Sequence, residues 1–149
     1  MTNSELAQQL RDLRDFLIIA GYEESHATRY TQIARYIEKL SEPVEDVKRE
    51  HRLNEIPGVG KLVAQYIREI MEDGVSSKQR EWEVNAPITV LELVRIPGLG
   101  AKTARKMFQE YGIDSLSSLI KADEGGVLAD IQGVGPKLIQ AIREHASSH

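Results

Sequence analysis

No cysteine occurs in the 149 residues, which removes disulfides, zinc–thiolate sites and thiol catalysis together. A chain without cysteine fits a reducing compartment. Aromatic residues make up 5% of the chain, so its 41% apolar content leans on Leu, Ile, Val and Ala. That composition favours helices packed on helices over a sheet sandwich. No apolar run reaches the length of a membrane span, and no period-2 strand pattern of useful length occurs. The opening MTNSELAQQLRDLRDF is amphipathic and contains acids, unlike a secretory leader. These absences predict an all-α protein that is cytoplasmic, monomeric and without membrane contact.

Positive charge is scarce too. Nineteen Lys+Arg against 23 Asp+Glu leave a net charge of −4. Residues 1–50 hold seven against ten (−3), and residues 51–149 hold twelve against thirteen (−1). A protein that coats a polyanion by charge alone should be basic. Any nucleic-acid binding here must come from local geometry, with weak and salt-sensitive affinity.

What is present is a repeat. LNEIPGVGKLVAQYI (53–67), LVRIPGLGAKTARKM (93–107) and LADIQGVGPKLIQAI (128–142) superimpose without gaps. Each reads apolar-x-x-Ile-Pro/Gln-Gly-apolar-Gly followed by a helical pattern. The first glycines of the pairs, Gly58, Gly98 and Gly133, define three tandem helix-hairpin-helix motifs. The surrounding pattern is helical as well. Thr2 and Glu5 have capping-box spacing. Leu6, Leu10, Leu13, Phe16, Leu17 and Ala20 form one stripe, which Gly21 ends. A second helix is expected from about Glu24 to Leu40, with Ala27, Tyr30, Ile33, Ala34 and Ile37 on its apolar face. Pro43 breaks it, and a short helix with Val44 and Val47 leads to the first hairpin. Residues 73–87 are the least periodic, which suggests a division into 1–74, a linker at 75–86, and 87–149. Asp114 is the expected N-cap of a helix over 115–122, and Gly125-Gly126 separates that helix from the third repeat.

The chemistry of such a repeat is backbone chemistry. Glycine permits a tight reversal and lets another molecule approach the main chain. The second glycines, Gly60, Gly100 and Gly135, fall where a helix begins, so their neighbouring N–H groups lack internal partners at the positive end of a dipole. That is an anion-binding arrangement. A lysine trails each site, as Lys61, Lys102 and Lys137. The second repeat adds Arg105 and Lys106 and has the strongest basic flank. One copy would be as well explained as a plain αα turn; three copies with trailing lysines favour a phosphate ligand. Val59, Leu99 and Val134 read as core anchors, Trp82 as a packing plug, and the five tyrosines mostly as core residues. The four histidines show no metal-ligand spacing.

On RYTQIARYIEKL (29–40), IPGVG (56–60) with AQYI (64–67), and VRIPGLGAKTARKMFQEYGIDSLSSL (94–119), the chain resembles the non-palm part of X-family DNA polymerases. The resemblance implies that the Gly58, Gly60, Gly98 and Gly100 amides hold DNA phosphates beside a gap or nick. It also implies a monovalent cation, K⁺ or Na⁺, on the main-chain carbonyls of Asn54, Ile56 and Val59 in the first hairpin. Val94, Ile96 and Leu99 would do the same in the second. No other cofactor is implied. A 5′-phosphate pocket would keep Tyr30 and Lys78, with His26 and Asn54 where the family has lysines. The lyase nucleophile position is Tyr66, whose phenol cannot form an imine, and no palm carboxylates follow the third hairpin. The expectation is a non-enzymatic, sequence-blind DNA-binding protein suited to gapped, nicked or branched DNA, with a repair-protein partner. The alternatives are a lyase using Lys61 or Lys78, or a fragment of a polymerase. The Met start and the short tail HASSH favour a whole protein over a fragment.

Overall fold

Thr2 caps the first helix as its spacing requires, its Oγ1 accepting the Glu5 N–H at 3.0 Å. In the computed structural model, which describes residues 1–149, helix α1 (Asn3–Ala20) ends on Gly21 at φ 108°, a left-handed cap. Helix α2 (Glu24–Glu38) follows. The extended Pro43 (φ −62°, ψ 135°) caps the short α3 (Val44–Arg49). After the first hairpin comes α4 (Lys61–Asp73), stopped by Gly74 at φ 83°. Helices α6 (Leu91–Val94) and α7 (Ala101–Tyr111) flank the second hairpin; α8 (Leu116–Glu124) and α9 (Pro136–Ser148) frame the third. The chain contains no strand, and none of its helices is long and apolar enough to cross a membrane.

The segment expected to be an irregular linker contains a helix, α5 (Ser77–Trp82). Buried Ser76 caps it by accepting the Gln79 N–H at 3.1 Å. From α4, the Glu69 carboxylate accepts both the backbone N–H (2.9 Å) and the hydroxyl (2.8 Å) of Ser77. The backbone hydrogen bond from Ser77 is the main reason the Glu69 carboxyl sits below its ordinary range. A depressed carboxylate stabilises the fold fully above its unfolded value of about 4.3 and ceases to do so as pH falls through the lower folded value. Trp82, the lone tryptophan, packs edge-on against Tyr22 with ring centroids 5.1 Å apart, as a plug should. Its fluorescence is therefore expected to red-shift in Glu69→Gln at neutral pH, and in the parent only under acid. An unchanged spectrum in Glu69→Gln would show that α5 is held by other contacts.

One further cap differs from expectation. Ser115, not Asp114, caps α8, in a reciprocal capping box with Ser118. Asp114 instead accepts the Ser118 hydroxyl at 3.0 Å. The side chains are adjacent, and the serine is the one whose backbone takes the extended cap conformation (φ −164°, ψ 168°).

Nearly all of the buried apolar residues belong to one cluster. A single cluster of 35 buried residues joins Leu6, Phe16 and Ile37 to Leu93, Met107, Leu128 and Ile142. Helix α1 connects its two ends, packing along α2 and also against α7. Two polar ties reinforce the second contact: Arg95 donates twice to Asp12, at 2.8 and 2.9 Å, and Gln109 donates to the Ile19 carbonyl at 3.2 Å. The tie to Asp12 starts one residue before Ile96 of the second hairpin, so that loop is braced directly against the first helix.

Candidate nucleic-acid interface

The three hairpins have nearly the same backbone. Gly58, Gly98 and Gly133 lie at φ 87°, 86° and 93°, a region costly to any residue with a Cβ. Gly60, Gly100 and Gly135 are extended (φ −91°, −92° and −102°) and cap α4, α7 and α9. Between each pair the apolar residue is buried, with Val59 at 5%, Leu99 at 3% and Val134 at 7% exposure. Its N–H returns to the preceding Ile carbonyl, at 3.0 Å (Val59 to Ile56), 3.0 Å (Leu99 to Ile96) and 3.1 Å (Val134 to Ile131). The middle residue thus fastens the loop to the core and turns the glycines outward.

The consequence is a set of unused donors. None of the six glycine N–H groups makes a hydrogen bond within the protein, and those of each first helical turn have no internal acceptor either. A Cβ placed on Gly60, Gly100 or Gly135 would meet nothing within 4 Å. The space in front of these amides is open to a ligand. The third hairpin is poorer by one donor, because Pro136 occupies the first helical position.

The second and third loops face one another. Gly98, Gly133 and Gly135 line a common groove of about 590 Å³ with Pro97, Lys137 and Leu138. Around the second loop, Lys102, Arg105 and Lys106 share a shallower depression on α7. Lys102 is 3.5 Å from Glu24 and 76% exposed, a weak surface pair that leaves it available. Lys106 donates to Gln132 at 3.3 Å. That contact links the second hairpin's basic flank to the residue the third repeat carries in place of proline. Lys61 stands beside the first loop, exposed and without an ion pair.

The carbonyls expected to take a cation are in suitable states. Those of Asn54 and Val59, and of Val94 and Leu99, accept no hydrogen bond; those of Ile56 and Ile96 accept one each. Each hairpin thus offers three oxygens with free lone pairs, as a hard monovalent cation needs.

One residue of the expected phosphate site is out of reach. Tyr30 is in the core at 1% exposure, and burial is the first cause of its phenol being pushed up to about 12. A side chain so enclosed cannot reach DNA. Lys78 lies on α5 with its ammonium 4.4 Å above the Tyr22 ring, a cation–π contact in the Tyr22–Trp82 cluster. The tyrosines divide differently from expectation: Tyr30 and Tyr66 are buried, but Tyr36 and Tyr111 are 47% and 41% exposed. Tyr66, at the lyase nucleophile position, has its ring in the core at 8% exposure.

The repeated glycine loops, their outward amides and their helix-flanked geometry define a helix-hairpin-helix protein. Residues 1–76 match the family described as "Helix-hairpin-helix domain", and residues 90–148 match "SAM-like Helix-hairpin-helix tandem". The chain belongs to the helix-hairpin-helix domain family, whose members indicate DNA as the partner. Its similarity extends to polymerases of the X family. It is 30% identical over 93 residues to the DNA polymerase/3′-5′ exonuclease PolX of Bacillus subtilis, covering 60% of this chain and 16% of that protein. It is 29% identical over 122 residues to DNA polymerase lambda of Arabidopsis thaliana, covering 81% of this chain and 22% of the plant protein. The chain therefore spans less than a quarter of either relative.

Proposed function

We propose that this chain binds the DNA backbone without reading sequence and acts in repair at gapped, nicked or branched sites. The observation that supports this best is the set of six unpaired glycine amides at three helix N-termini, with Gly98, Gly133 and Gly135 lining one groove. Amide-to-phosphate contacts position a protein but carry no base information. An acidic chain can use them because the donors act at contact distance, where aimed dipoles outweigh a diffuse net charge of −4. A K⁺ or Na⁺ on the carbonyls of Asn54, Ile56 and Val59, or of Val94, Ile96 and Leu99, would add positive charge beside the phosphate.

The role proposed is non-enzymatic. Tyr66 fills the imine-forming position with a buried ring, and Lys78 is engaged with Tyr22. Polymerase and exonuclease activities belong to the relatives that carry those names.

The test is a titration of labelled duplex. At about 50 mM salt, where phosphate contacts are strongest, binding should be measurable, and it should weaken steeply by about 200 mM. Random and fixed sequences should bind alike. Absence of binding at the lower salt would overturn the proposal, and a marked preference for one sequence would overturn its mechanism. Replacing Na⁺ and K⁺ by tetramethylammonium at constant ionic strength should weaken binding if the carbonyl sites act.

A further inference from the structure

Beside the first hairpin lies a concavity that the repeat marks at one residue only, Lys61. Lys48 and His51 from the end of α3, Leu53 and Asn54 from the turn before the hairpin, and Lys61 and Arg68 from α4 enclose about 290 Å³. Four of these are basic or titratable to a cation, and no carboxylate lines the space. In a chain of net charge −4 such a concentration is not a sampling of average surface. The only acid paired with any of the four is Glu72, 3.4 Å from Lys48 and itself 55% exposed. Lys61 and Arg68 have no ion pair, while Lys48 is only 23% exposed, its stem laid along the wall.

The backbone under the pocket is also unusual. His51 is the single non-glycine residue with positive φ, at 57°. It occupies the left-handed position after α3, where its N–H reaches the Lys48 carbonyl at 3.0 Å and the next N–H, from Arg52, reaches Val47 at 2.9 Å. Glycine is the residue that meets this cap geometry without strain. Histidine there accepts strain and in return puts an imidazole on the pocket wall, the pattern expected where a side chain has a use.

We propose that Lys48, His51, Lys61 and Arg68 form a phosphate-binding pocket that extends the first hairpin's contact with the DNA backbone. The proposal rests on the DNA-binding reading above. Lys61 belongs to both features: it is the first residue of α4, next to the Gly60 amide, and it lines the pocket. One phosphate on the loop amides and a second in the pocket would thus lie on the same strand.

The decisive measurement is the salt dependence of duplex binding by Lys48→Gln/Arg68→Gln, compared with Arg35→Gln/Lys39→Gln. The second pair removes the same charge from the outer face of α2. Losing one neutralised phosphate should flatten the plot of log affinity against log salt by about one unit, in the pocket variant only. Equal flattening in both variants, or none in either, overturns the proposal. Two forms of the duplex separate the sources of the phosphate. If a 5′-phosphorylated end occupies the pocket, the pocket variant loses affinity only for that end; if an internal phosphodiester does, 5′-hydroxyl duplex suffers equally. In parallel, His51→Gly should hold or raise the melting temperature, by releasing the left-handed strain, while weakening binding. Should the parent protein fail to bind duplex at all, the reading above falls. The pocket is then read by titrating inorganic pyrophosphate while following the His51 ring resonances: movement supports it and a static spectrum overturns it.

Discussion

Gly100→Val is expected to cut DNA affinity by roughly 10- to 150-fold while lowering the melting temperature by only about 3–6 °C. The two effects separate because Gly100 is extended (φ −92°, ψ 176°), a conformation valine adopts freely, and nothing lies within 4 Å of where its Cβ would be. Valine is a poorer N-cap than glycine, a difference of up to about 1.5 kcal/mol. Yet the branched side chain would stand in the open space before the free amides of α7. Losing a hydrogen bond to a charged group costs about 1.5–3 kcal/mol, which is the affinity loss stated. Gly98→Val provides the contrast. At φ 86° valine is strained by about 1–3 kcal/mol, so both stability and binding should fall. Thermal melts beside fluorescence titrations distinguish the two variants, and unchanged affinity in Gly100→Val would remove the second hairpin from the interface. The equivalent Gly135→Val should cost less affinity, because Pro136 has already deleted one donor from that loop.

Phe16→Ala should destabilise the protein by about 3–5 kcal/mol, the range for emptying a buried aromatic site. Phe16 is fully buried in the C-terminal part of α1, in the cluster that continues to Leu93, Met107 and Ile142. The direction that matters is how the loss is distributed. With one continuous core, the far end should lose stability with the near end, and unfolding should remain a single transition by every probe. Trp82 fluorescence reports the α5 region, and far-ultraviolet circular dichroism reports all the helices. Two separated transitions would show that residues 87–149 stand alone energetically.

The hairpins were readable in the sequence because a glycine in a left-handed turn leaves a trace at one fixed position. Gly58, Gly98 and Gly133 mark it three times, and the stripe from Leu6 to Ala20 is nearly as direct. Local rules blur where neighbours compete, as with Asp114 and Ser115, either of which could cap α8. Helix α5 had a legible start in Ser76-x-x-Gln79, which has capping-box spacing, but its second support, Glu69, comes from eight residues before Ser77. Tyr30 and Lys78 were placed by resemblance, and resemblance carries no account of the packing that buries one and stacks the other. The Lys48–Arg68 pocket was only half legible: Lys61 trails the first glycine pair and shares a face of α4 with Arg68, but nothing local joins them to Lys48 and His51, which the fold brings up from the end of α3.

The brace between Arg95 and Asp12 makes this protein a fixed-angle gauge more than a flexible clamp. With α1 packed against both α2 and α7, the first and second loops are held in fixed relation, so any bend needed to touch both must come from the nucleic acid. Intact duplex resists that bend with an elastic cost of roughly 1–6 kcal/mol for a substantial angle over a short site, whereas an interrupted strand supplies a hinge almost free of charge. Discrimination between whole and broken DNA would then reside in the stiffness of the ligand, and cutting the Arg95–Asp12 tie would blunt it without touching a single phosphate contact.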